Sequence, residues 1–509
     1  MIESVPKMPR PEVRKRHVPR GVLWAAGVCV GVLVLGWIVL ILVWPFTREK
    51  LQSDLGEATG STVVIQSLHK TYFPPGCVMQ GVSMTPLQKT QSTAAVNIEK
   101  LTIHSSYTRL WSKHVDIFID GAEVHLPVPG HNIGFSFDKP SKAIVDEISV
   151  KNSALLFHPQ PASSPQLRFD IHELLVHHPG MREEMPFTVK LRIPEPPGEL
   201  EVSGKLGKWR SDNPGQTPVS GSYSLERADL AVFVGIRGSV SSRGDFNGNI
   251  QHIQLQGSAD APDFGVTRSG HRVHVTGDFR ALVNGANGDV ALEEVHASFG
   301  KTRVKSTGTV EGEGEKTGDL KLGGTDGRIQ DVLMLFIQSP VSPLTGIVAF
   351  NATAKVPATL QGFVRKVQFT SDFSIDDGHL TNPTTQGKMD HLSQQAQGEK
   401  QTDDPATAIS NLVGHVELRE GVANFTDLKF RVPGALAHLH GTYDVITEKI
   451  DMHGLLLMEA DLPHATSGFK SFLLKPINVF LKKNHHGGAR IPVTITGTYD
   501  KPVCKTDPV

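Results

Sequence analysis

The residues best equipped for chemistry are the histidines, 23 in a chain of 509 residues, with two adjacent pairs at His177-His178 and His485-His486. Neighbours on a strand point to opposite faces, so neither pair readily chelates a single metal, and no Asp, Glu or Cys cluster completes a ligand set. The phrase "GEGEKTG" (312–318) has the glycines of a phosphate loop. It lacks the Gly-Lys-Ser/Thr ending, and its glutamates repel phosphate, so it reads as a polar hairpin turn. No G-x-S-x-G, H-E-x-x-H or C-x-x-C occurs. No catalytic residue, metal or cofactor is assigned. A formal net charge of −1 gives no basic field for nucleic acid.

A third candidate for chemistry is "GFKSFLLKPINVFLKKNHHGGARIPVTITGTYDKP" (468–502). Phe469, Phe472, Leu473, Ile477 and Phe480 form an apolar stripe on an amphipathic helix over 468–483 that Pro476 kinks or restarts. Lys482 and Lys483 fall near its C-terminus, where the helix dipole favours cations. Two readings stand: the stripe caps the apolar end of a sheet, or it meets anionic lipid head groups.

These residues need elements to position them. The segment from Gly21 to Trp44 is uncharged. As a helix it spans about 36 Å, enough for a bilayer core. Trp24, Trp37 and Trp44 are suited to the membrane interfaces, and the preceding Arg14, Lys15, Arg16 and Arg20 predict a cytoplasmic N-terminus (1–20). With no A-x-A cleavage site, the reading is a retained anchor.

A short helix is expected over 47–59, with Gly60 at its stop. From Ser61 the hydrophobic period becomes two. Val115, Ile117 and Ile119 share a face, as do Val273 and Val275, Phe369 and Phe373, and Val493 and Ile495, with Phe430 in "LKFRV" continuing the pattern. Glycine and Asn-Gly turn signals recur, and helical patterns are few, one of them at 327–338. A polar loop is expected at 385–407. The fold class is mainly β. Such faces must be buried, either in stacked sandwiches or along one antiparallel sheet curled on itself, and periodicity does not choose between the two. Of three cysteines, Cys77 and Cys504 can pair only if the first and last strands meet.

"WPFTREKLQSDLGEATGSTVVIQSL" (44–68), "CVMQGVSM" (77–84), "FSIDDGHL" (373–380), the run 413–454 and the run 468–503 together resemble the AsmA-like proteins of bacterial envelopes. The resemblance implies an N-terminal β-groove region (45–340) and a C-terminal β region (341–509). It also implies an anchor in the bacterial inner membrane with the bulk of the chain in the periplasm. The implied role is movement of phospholipid between inner and outer membranes, supporting outer-membrane biogenesis. The alternating residues named above would line the groove, and the partners would be the membrane, an acyl-chain lipid and an envelope protein. The alternative is a non-enzymatic assembly scaffold that binds a protein along a sheet edge.

Overall fold

The computed structural model describes residues 46–87, 94–110, 112–127, 143–158, 166–179, 184–210, 213–285, 288–311, 317–357, 362–381, 410–432, 435–458, 490–498 and 501–506. The anchor segment, the 385–407 loop and the 468–483 helix lie outside these residues. Among those described, no helix is long and apolar enough to cross a membrane.

Helix α1 (Arg48–Thr59) ends where Gly60 takes a left-handed conformation, φ 62°, its N–H returning to the Gly56 carbonyl. The chain then enters β1 (Ser61–Tyr72), β2 (Pro75–Pro86) and β3 (Ala95–His104). After the short helix α2 (Tyr107–Leu110) come β4 (His114–Pro127), β5 (Ile144–His158), β6 (Leu167–His177), β7 (Met185–Pro194), β8 (Pro197–Leu206) and β9 (Pro218–Asp229). The middle of the chain forms the two-residue β10 (Ile236–Arg237), then β11 (Ser239–Asn249), β12 (His252–Val266), β13 (Val273–Val283), β14 (Val290–Phe299), β15 (Thr302–Glu311) and β16 (Thr317–Arg328). Helix α3 (Ile329–Met334) leads into β17 (Leu344–Val356), and α4 (Phe363–Lys366) into β18 (Gln368–Leu380). The last strands are β19 (Ser410–Arg419), β20 (Val422–Val432), β21 (Ala435–Asp444), β22 (Lys449–Met458), β23 (Arg490–Thr498) and β24 (Lys501–Thr506).

All 24 strands belong to one long, curved, open sheet. Each long strand pairs with its sequence neighbour, and β10 only borders β12. At a strand spacing of ~4.8 Å the ribbon has a contour of about 110 Å. The ladder is unbroken between β16 and β17, where the sequence suggests a division near residue 340.

One feature departs from the expected antiparallel meander. Strands β4 and β5 run parallel, Ile117 facing Ile148 and Ile119 facing Val150, which makes the sheet mixed. The connection 128–143 exceeds the dozen or so residues that a parallel crossover needs. A pattern of alternating residues carries no signal for strand direction.

Two buried clusters lie near the ends of the ribbon. In the first, Phe46 and Leu51 pack with Val63, Ile65, Cys77, Met79, Val82, Ile98 and Leu101, α1 covering the sheet. In the second, Val348, Ile375, Leu412, Ala435 and Ile491 are buried with Ile329 and Val332 of α3 against them. Cys77 and Cys504 sit in β2 and β24, at opposite ends of the ladder, and Cys77 is a free buried thiol.

Candidate functional site: an apolar trough along the sheet

The strand registers assemble apolar rows that run across the ribbon. One row reads Phe187, Gly204, Gly221, Phe246, Leu255 and Ala281 from β7 to β13. It continues through Leu292, Gly308, Leu320, Ala354 and Phe369 to Leu418 in β19. The back of the sheet is polar. In β13, His274, Thr276, Asp278 and Arg280 are exposed while Val273, Val275, Gly277 and Phe279 are half-buried. In β8, Glu199, Glu201, Ser203 and Lys205 are exposed opposite half-buried Leu200, Val202, Gly204 and Leu206.

Between the two buried clusters, from β6 to β14, neither cluster reaches the apolar face, and most of its side chains are half-buried, Ala261 and Ala281 being buried. A sandwich core would bury these residues, whereas a face left uncovered on a flat sheet would expose them as fully as its back. Half-burial of this face beside an exposed back is compatible with its lying on the inside of the curve. Such an open, curved sheet is compatible with a trough that has an apolar floor and a charged outer wall.

Glycine and aromatic residues shape that floor. A Cβ added at Gly221 would fall under 3.0 Å from the Ser203 carbonyl oxygen and the Gly204 Cα, so strands β8 and β9 approach there as only glycine permits. Aromatic side chains lie over glycines of nearby strands: Phe246 over Gly221, Phe350 over Gly324 and Phe373 over Gly414 from the neighbouring strand, and Tyr223 of β9 over Gly257 of β12, reaching across β11. A ring laid on a glycine follows the sheet surface instead of projecting into the trough, and it restores apolar cover to a strand that lacks a side chain. Bulges at Ala261/Phe264, Leu292/Val295, Gly324/Gly327 and Phe425/Leu428 add local bends.

The outer wall carries cross-strand ion pairs, among them Lys151 with Glu173 at 3.1 Å and Lys190 with Glu201 at 3.3 Å. His415 Nδ1 lies 2.7 Å from Asp372. The hydrogen bond to Asp372 raises the His415 pKa above its ordinary value, partial burial opposing it. Such exposed pairs contribute ~1 kcal/mol or less each, so their main effect is to keep this face in water. At the first cluster the Cys77 thiol is pushed up to about 12 by burial, against a lowering by its backbone bond to Ile103.

The residues singled out from the sequence fall as follows. Val115, Ile117 and Ile119 lie on the apolar face at the α1 end, packed in the first cluster. Val273 and Val275 lie on the open floor, next to Phe264 and Ala261 of β12. Phe369 is on the floor of β18, and Phe373, Phe430 and Val493 pack at the second cluster. Ile495 stands opposite Met452 of β22 in the register. Phe469, Phe472, Leu473, Ile477 and Phe480 lie outside the described residues, as do Trp24, Trp37, Trp44, Arg14, Lys15, Arg16, Arg20 and His485-His486. His177 pairs with Glu147 on the outer wall, and no group of three or more His, Cys, Asp or Glu side chains among the described residues is placed to hold a metal.

Sequence reading missed the floor between β6 and β12, although "ELEVSGKL" (199–206) carries the same alternation. The glycine–aromatic pairs had no signal, because register decides which ring meets which glycine. No family model matches the chain, and no curated protein matches it either.

Proposed function

We propose that the trough holds the acyl chains of membrane lipids and lets them move along its length, with head groups solvated at the mouth. The observation that carries this reading is the continuous apolar row from β7 to β19, mostly half-buried between the two clusters and backed by a charged wall. Each CH2 moved from water onto such a floor gains about 0.8 kcal/mol, while a solvated head group avoids the cost of burying polar atoms. Binding and sliding of this kind need no covalent chemistry. Together with the uncharged segment 21–44 and the resemblance to AsmA-like proteins, the reading is a membrane-anchored lipid carrier of the bacterial envelope, its sheet in the periplasm between inner and outer membranes.

The test is lipid content of the full chain purified in mild detergent, measured by mass spectrometry. Wild type is expected to carry phospholipid or another acyl lipid, and Leu320→Asp, which puts a charge on the floor, to lose most of it with its β content unchanged. Absence of lipid from wild type, or equal lipid in both, overturns the proposal.

A second reading, the scaffold that binds a partner by strand addition, rests on β24, which among the described residues is paired only with β23. That edge carries Lys501, Pro502 and Lys505, residues that oppose strand addition.

A further inference from the structure

The two rims of the ribbon, formed by opposite ends of the strands, touch each other far from where they are neighbours in the ladder. The β9–β10 and β12–β13 connections lie on one rim, and the β17–β18 and β21–β22 connections on the other. Yet the Phe363 N–H at the start of α4 donates to the Val234 carbonyl at 2.8 Å. Gly235 beside it, at φ 95°, approaches the Phe363 backbone so closely that a Cβ there would clash. Further along, Arg268 Nε donates to the Val445 carbonyl at 3.1 Å across a separation of 177 residues, with Asp444 near enough for its charge to act on Arg268.

Each contact is braced from behind. Gly235 accepts from the Thr267 N–H at 2.9 Å, Val445 N–H donates to Gly421 at 2.9 Å, and His271 Nε2 lies 2.9 Å from the Ser339 carbonyl. Sheet twist explains how opposite rims meet. At ~20° per strand, the eight or so strands between the two sides of the contact turn the ribbon by about 180° and exchange the directions in which its rims face.

We infer that this rim-to-rim seam closes the trough across its mouth between β9 and β22, making that stretch an enclosed holding site for an aliphatic chain. The flanking parts of the trough stay open for entry and exit. The inference rests on the acyl-binding reading above and adds where a chain is retained and what retains it. Arg268 and the Phe363–Val234 backbone bond are the closures. Opening them lets water and the bound chain exchange sideways, so the seam sets residence time more than capacity.

The experiment uses the full chain in detergent with a fluorescent fatty acid as probe, following its dissociation by stopped flow. Two variants weaken the seam. Arg268→Ala removes the donor to Val445. Phe363→Pro removes the donor to Val234 at the first position of a helix, where proline is tolerated. Hydrogen exchange at 234–236 and 445–448 reports whether the rims have parted. The double variant is expected to bind the probe, to exchange faster at both segments and to release the probe about tenfold faster or more, the effect of losing two weak hydrogen bonds of closure. Faster exchange at the seam with a release rate within about twofold of wild type overturns the holding site and leaves the trough standing. Unchanged exchange at both segments overturns the seam as a closure. Failure of wild type and variants alike to bind the probe overturns the acyl-binding reading on which the inference rests.

Discussion

Strands β1–β4 and strands β6–β9 carry the same alternation of apolar and polar residues, and the chain treats them differently. In β2, Cys77 and Met79 are 0% exposed and Val82 is 1% exposed, because α1 lays Leu51 and Leu55 on that face. In β6–β9, Leu174, Val189, Leu200 and Leu225 occupy equivalent places and stay half-buried with no described helix over them. The α1 end is also closed along its edge. Arg48 donates to the Gln66 carbonyl at 2.7 Å and Gln52 to Val63 at 3.2 Å, so polar side chains of the helix occupy the carbonyls of β1. The difference separates apolar surface that stabilises the fold from apolar surface that the fold leaves accessible.

That comparison can be broken most directly by truncation. Met79→Ala at the sealed end is expected to cost about 2–5 kcal/mol, as for other buried large-to-small changes. Leu320→Ala on the open floor should cost ~1 kcal/mol or less, because its side chain is already partly hydrated. Chemical denaturation of the two variants reads the contrast, and equal losses would show that the floor is an ordinary core.

Curvature gives the next contrast. Gly221→Ala sets a Cβ against the Ser203 carbonyl and is expected to cost about 1–3 kcal/mol, while Ser222→Ala on the exposed wall beside it should stay within ~0.5 kcal/mol. Thermal melts of the pair measure this, and equal melting temperatures would remove the close approach of β8 and β9 as a source of the bend.

A smaller effect concerns thiol chemistry. With its pKa pushed up to about 12 by burial, Cys77 should resist iodoacetamide at pH 7.4 until the chain is denatured. Peptide mapping before and after denaturation checks it. Rapid labelling of the native protein would mean that α1 does not seal the first cluster.

The smallest effect lies on the outer wall. Because His415 is raised by its bond to Asp372, the pair stabilises fully below the ordinary histidine pKa. That contribution is lost as pH rises through the elevated value. Exposure limits it to under ~0.5 kcal/mol. Asp372→Asn should lower the His415 midpoint in an NMR titration, and an unchanged midpoint would sever the pair.

Much of the fold was legible because period-two alternation is local. Strands were readable at 115–120, 271–279 and 491–496, and Gly60 marks the end of α1 from its place after the last apolar helical position. What was not legible depends on pairing. Nothing in "VDIFID" (115–120) says that β4 will run parallel to β5, since a strand has the same pattern in either direction. Likewise Phe246 and Gly221 are separated in sequence and meet only through register, and the Arg268–Val445 contact depends on twist accumulated over many strands. The candidate floor residues Val273, Val275 and Phe369 were visible one strand at a time. Their union into one trough needed the ladder.

The central claim is most directly tested by a photoreactive amino acid placed on alternate residues of the same strands in the full chain produced in bacterial cells. Leu255 and Leu320 face the trough, whereas Gln254 and Lys321 face water. On irradiation, lipid is expected to cross-link at positions 255 and 320 and to be absent at 254 and 321. Equal labelling at all four positions, or none at 255 and 320, would contradict an apolar trough that carries lipid.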